Sequence, residues 1–68
     1  MEDYGKMIRS LRMAAGLTQK KLGLSCGYEE KSAERTVQHW EHGRSYPPID
    51  KLRALAEALG VSVENLIP

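Results

Sequence analysis

Five polar side chains, Glu34, Arg35, Thr36, Gln38 and His39, fall within one six-residue stretch. Arginine donates as a rigid fork, glutamine both donates and accepts, and an ionised glutamate only accepts. Those capacities suit the edges of bases in a DNA major groove: arginine with guanine, glutamine with adenine, glutamate with the cytosine amino group, at about 1–3 kcal/mol of discrimination per good pair. Glu34 could instead merely repel phosphate. Thr36, next to the apolar Val37, stands at the margin of the set.

Other chemistries find less support. Cys26, His39 and His42 include two histidines at i, i+3, but there is no fourth ligand and no CxxC pair, so no metal is expected. Cys26 reads as a small buried hydrophobe. No nucleophile, base and orienting group come together, and no paired carboxylates form a coherent site. A chain of 68 residues also leaves little room for a deep pocket. The expectation is therefore no enzyme, no cofactor and no small-molecule ligand.

Positioning the five polar residues falls to the stretch from Thr18 to Gly43, which reads as two short helices around a turn at Gly27. Thr18 suits an N-cap, its side chain accepting from the N–H of Lys20 or Lys21. Leu22 and Cys26, four apart, share one face. Gly27 sits where a helix ends in the left-handed region. Beyond it Ala33, Val37 and Trp40 form an i, i+4, i+7 apolar stripe, which turns the polar residues outward and makes Trp40 core. Before this stretch, Asp3 to Ala15 reads as a first helix capped by Asp3, with Tyr4, Met7, Ile8, Leu11, Ala14 and Ala15 in helical phase and Gly16 as its stop. Leu17 then packs ahead of the Thr18 cap. After Arg44–Pro48, a fourth helix runs from Pro48 or Ile49 to Leu59 with Leu52, Leu55, Ala56 and Leu59 inward, and Ser62 caps a fifth, Val63 to Ile67. No strand alternation or internal repeat appears. The expected fold is all-α, a compact bundle of five short helices forming one domain over residues 1–68.

The joint pattern TQKKLG, TVQHWEHGRSYP and LRALAEALGVSVENL resembles the lambda-repressor/Cro-type (XRE) helix-turn-helix family of transcription regulators, over about Ile8 to Ile67. The resemblance implies double-stranded DNA as partner, helix three docked in the major groove, and a homodimer on a pseudo-palindromic operator, most simply as a repressor. It implies that Gln19, first in helix two, contacts the DNA backbone and supports helix three. A helix N-terminus also favours phosphate on its own terms. Thr18, Lys20, Lys21 and Lys31, and the loop residues Arg44, Ser45 and Tyr46, are the remaining backbone candidates. Arg12 and Glu41 match positions the family commonly pairs, so a structural ion pair is expected between helices one and three. The dimer surface is expected from Val61, Val63, Leu66 and Ile67. The rival reading is a protein-interaction module on the same fold, such as an antitoxin-like partner with weak or no DNA binding.

One departure stands out. The family leaves about five residues between the helix-two glycine and the first inward residue of helix three, whereas Tyr28 to Thr36, counted to Val37, is nine. Either the turn bulges over Tyr28–Lys31 and helix three starts at a Ser32 cap, or helix three begins near Glu29 and is a turn longer. The longer helix sets Glu30 over Glu34 and Lys31 over Arg35, like charges at i, i+4, which favours the bulge.

Net charge is only +1, yet Lys6 to Lys21 holds five basic residues and no acidic one, while residues 54–68 carry Glu57 and Glu64 and no base. Such unevenness can draw phosphate to one face. No apolar run is long enough for a membrane helix, Met1 opens onto charged residues rather than a signal peptide, and the lone cysteine fits a reducing compartment, so a cytoplasmic protein is expected.

Overall fold

The computed structural model describes residues 2–68, with the backbone alone for Glu2. Four α-helices follow in order, α1 (Glu2–Ala14), α2 (Gln19–Ser25), α3 (Glu30–Glu41) and α4 (Leu52–Leu59), and no strand occurs among the described residues. A 3-10 turn, Ile49–Lys51, leads into α4, and a second, Val63–Leu66, stands where a fifth helix was expected. That segment spans only enough backbone for i to i+3 closure: Asn65 N–H donates to Ser62 O, and Ser62 makes no side-chain cap. The fold is thus four α-helices rather than five.

Asp3 does not cap α1 either. It lies inside a helix that already includes Glu2, and the position before that is outside the described residues. Thr18 does cap α2, its Oγ1 accepting from Lys21 N–H at 3.0 Å.

The α2–α3 turn is built by Gly27. At φ +93° it closes α2 with two backbone bonds, Gly27 N–H to Leu24 O and Tyr28 N–H to Gly23 O, a closure that needs the left-handed conformation open to glycine. Helix α3 then starts at once. Glu29 O accepts from Ser32 N–H and Ala33 N–H, so Ser32 is already inside the helix, and its hydroxyl donates to Glu29 O instead of capping. The bulge over Tyr28–Lys31 is therefore absent. Ala33, fully buried, is the first inward residue, leaving the ordinary five residues after Gly27. The four additional residues form one more turn of α3, and four residues advance a helix by about 400°, close to one revolution, so the inward stripe stays in phase. The penalty that argued against this form is small because Glu30, Lys31, Glu34 and Arg35 are all exposed. Glu30 in the first turn is also favoured by the helix dipole and stands 3.8 Å from Lys20.

Helix α3 is the central element. Its face of Ala33, Val37 and Trp40 is buried against α1 and α2. The core comprises Ile8, Leu22, Cys26, Val37, Trp40, Leu52, Leu55, Ala56, Leu59 and Leu66. Tyr28 stacks edge-on against Trp40 at 5.9 Å, with Lys51 Nζ 5.0 Å from the Tyr28 ring centre. Two helix crossings depend on missing side chains. A Cβ at Gly23 would sit on the carbonyl of Ala33 and 2.7 Å from its Cβ, and one at Gly5 would sit on the carbonyl of Glu41 and 2.9 Å from Trp40 O.

Candidate nucleic-acid interface

Because α3 buries one face, the opposite one is turned outward. Lys31, Glu34, Arg35, Gln38 and His42 recur at i, i+3, i+4, i+7 and i+11, which is one continuous stripe on a helix. All are exposed except Gln38, which is half-buried. The stripe faces the same side as the start of α2. Gln19, Lys20, Glu34 and Gln38 line one open cleft with Arg9 and His42, and Lys20, Lys31, Glu34 and Arg35 line the hollow beside it.

A chain of polar side chains fixes that geometry. Arg12 donates from Nε to Glu41 Oε2 at 2.6 Å and from Nη2 to Glu41 Oε1 at 3.3 Å, a two-pronged ion pair whose side chains are 12% and 3% exposed. Its Nη1 donates to Leu17 O at 2.9 Å, so one guanidinium ties α1 and the loop before α2 to α3. Glu41 Oε1 also accepts from Gln19 Nε2 at 3.0 Å, and Gln19 Oε1 accepts from Gln38 Nε2 at 3.2 Å. Gln38 Nε2 reaches Glu34 Oε2 at 3.4 Å. Charge-assisted, forked bonds of this kind hold geometry better than single neutral ones. Gln19 is thus engaged on both sides of its amide, and the start of α2 is locked to the middle of α3.

The five polar residues divide. Glu34, Arg35 and Gln38 share the outward stripe. Thr36 and His39 lie to its side: Thr36 is half-buried with its hydroxyl donating to Ser32 O at 2.8 Å, and His39 is half-buried. Neither lines the cleft or the hollow beside it. Thr18, Gln19 and Lys20 border the cleft, Lys31 borders the neighbouring hollow, and Lys21 is exposed away from both. Arg44 and Ser45 are exposed in the loop after α3. Tyr46 lies edge-on to Tyr4 at 5.0 Å and borders a separate apolar hollow. Arg9 and His42, which are not among the residues expected to face DNA, also join the cleft. Their signal was helical spacing: Arg9 is three before Arg12, and His42 is four after Gln38.

The four residues offered as a dimer surface also divide. Leu66 is fully buried in the core of its own chain, with its carbonyl accepting from Tyr4 Oη at 2.7 Å, and so has no surface to give a partner. Val61 is half-buried and packs against the core. Val63 and Ile67 are exposed and line the apolar hollow with Tyr46, Pro47, Ile49 and Leu52.

Among the described residues no group of three or more His, Cys, Asp or Glu side chains could hold a metal ion, and no helix is long and apolar enough to cross a membrane. Burial pushes the Cys26 thiol up to about 11, with Lys51 partly offsetting the shift.

A comparison with family models matches the helix-turn-helix family over residues 8–66, from the α1 core residue Ile8 to Leu66 in the last turn. The chain belongs to the XRE/Cro/C1-type helix-turn-helix family. Searches of curated proteins and of solved structures found no match. Helices α2 and α3 are the two helices of the motif, and the match makes this a DNA-binding domain of the regulator type, in a family that is generally not enzymatic. Double-stranded DNA is its class of partner.

Proposed function

We propose that the chain, acting as one domain, is a sequence-specific transcription repressor that lays α3 in the major groove of a pseudo-palindromic operator. The observation carrying this reading is the outward stripe Lys31, Glu34, Arg35, Gln38 and His42, backed by a buried face and locked to α2 through Gln19. A helix that presents donors and acceptors while its back is fixed meets the steric demand of the groove. Glu34, Arg35 and Gln38 read bases, with Thr36 and His39 at the flank. Thr18, Gln19, Lys20 and Lys31, joined by Arg9, stand toward the phosphates, with Arg44 and Ser45 in the exposed loop after α3; Lys21 and Tyr46, away from the cleft, are left out of that set. The protein works in the compartment that holds its DNA, the cytoplasm of a bacterial cell.

Two copies on one operator match its two-fold symmetry, and the apolar hollow formed by Ile49, Val63 and Ile67 offers the self-association surface. Ile49 is 87% and Ile67 60% exposed. Ile49→Asp removes apolar surface without touching the core. It should leave the melting temperature unchanged while weakening operator binding at low protein concentration; unchanged affinity would remove this surface from the reading.

The main test is selection from a random duplex pool at stated salt, followed by titration of the winner against a scrambled duplex. Enrichment of a pseudo-palindrome bound about a thousandfold or more above the scrambled control supports the regulator. Weak, salt-sensitive binding without a motif would instead favour a protein-interaction module, for which the same apolar hollow is the docking place.

A further inference from the structure

The polar chain through α3 restricts what Gln38 can offer a base. An amide's two ends are told apart by their partners. Glu41 is a carboxylate and accepts only, so the Gln19 end facing it is the Nε2 donor, which leaves Gln19 Oε1 toward Gln38. Gln38 must then present its own Nε2 to Gln19, and the carboxylate of Glu34 accepts from the same nitrogen. Nε2 carries two protons, and both are committed, one to Gln19 and one to Glu34. Gln38 Oε1 has no partner among the described residues, and neither has Glu34 Oε1. The stripe therefore shows two acceptors at this point, flanked by the donors Lys31 and Arg35.

Two acceptors do not suit adenine. The usual glutamine–adenine contact needs a donor for N7 beside an acceptor for N6–H, and an acceptor set against N7 is repelled. Guanine shows N7 and O6, and thymine O4, all acceptors. Cytosine alone shows an amino donor with no acceptor of its own on the major-groove edge. We propose that Glu34 and Gln38 act together as an acceptor pair that selects a cytosine in the operator by converging on the single N4 proton that a paired cytosine leaves in the groove, with Glu34 holding Gln38 out of its usual adenine-reading arrangement. This assignment rests on the DNA-binding reading above.

The experiment is duplex selection with the wild type and with Glu34→Ala, Glu34→Gln and Gln38→Ala. The position whose preference disappears in Gln38→Ala is the one that α3 reads here. The wild type should hold cytosine there and lose about tenfold or more in affinity when it is replaced. Glu34→Ala returns one proton to Gln38, so the preference should move from cytosine to adenine. Glu34 is exposed, so circular dichroism melting should be unaffected. If Glu34→Ala binds nothing, Glu34→Gln carries the test, because its amide can donate and cytosine discrimination should fall. A consensus unchanged by both Glu34 variants, or a wild-type preference for another base, overturns the acceptor pair and leaves the DNA reading standing. No consensus from the wild type overturns both.

Discussion

Glu41 gathers three hydrogen bonds on one carboxylate that is 3% exposed, two from Arg12 and one from Gln19. Glu41→Ala strands the Arg12 guanidinium, and removing one partner of a buried pair typically costs about 3–5 kcal/mol. A denaturant titration should show that loss; a change under about half a kcal/mol would mean solvent replaces the pair without cost. The residue types at 12 and 41 were legible through the family pattern. The relay from Glu41 through Gln19 to Gln38 was not, because helical spacing gives the face a glutamine occupies and not the neighbour its amide selects. Cys26 gives a second prediction. A cysteine thiol ordinarily ionises near 9.0, and burial holds that of Cys26 up at about 11 in the folded chain. Below pH 9 both states keep the proton and stability is intact. Between pH 9 and 11 the unfolded chain releases it first, so stability falls as pH rises, by an amount on the order of 2 kcal/mol. Tyr4 and Tyr28, both raised by burial from the ordinary 10.0, add loss in the same direction from about pH 10 upward. Cys26→Ala should flatten the slope between pH 9 and 11 in a series of melts, and a slope as steep as the wild type's would show that the thiol is not its source.

At the scale of elements, the apolar stripes of α3 and α4 were readable directly, since Ala33, Val37, Trp40, Leu52, Leu55, Ala56 and Leu59 are the buried residues of those helices. Charge spacing alone points to the wrong start of α3, because two exposed like-charge pairs, worth a few tenths of a kcal/mol each, weigh less than a whole turn of backbone hydrogen bonds. Close approach was invisible for a different reason: Gly5 and Gly23 resemble ordinary helix glycines until the partner helix is in place. Alanine in a helix interior ordinarily gains about 1 kcal/mol over glycine. At Gly23 the new methyl meets the Ala33 backbone, which cannot swing aside as a flexible side chain would. Gly23→Ala should therefore reverse the usual sign and destabilise by about 1–3 kcal/mol, read as a lower melting temperature. A gain in stability would show that α2 and α3 can separate without loss.

Over the whole molecule, the near-zero net charge hides a division of labour. Arg9, Lys20, Lys31 and Arg35 stand on the side of α3's outward stripe, while the apolar hollow with Ile49 and Ile67 is built from the loop after α3, α4 and the last turn. The bond from Tyr4 Oη to Leu66 O joins residues 62 apart in sequence. Contacts of that span wait on closing nearly the entire chain, whereas the α2–α3 turn forms from neighbours. The α2–α3 motif is therefore expected to form ahead of the latch between the first helix and the last turn, and the latch to open first on unfolding. Tyr4→Phe removes the latch alone, so stopped-flow measurements should show faster unfolding with the refolding rate almost unchanged. Slower refolding would place the latch in the transition state. Such an order would leave α3 and its outward stripe standing while the two ends of the chain come apart.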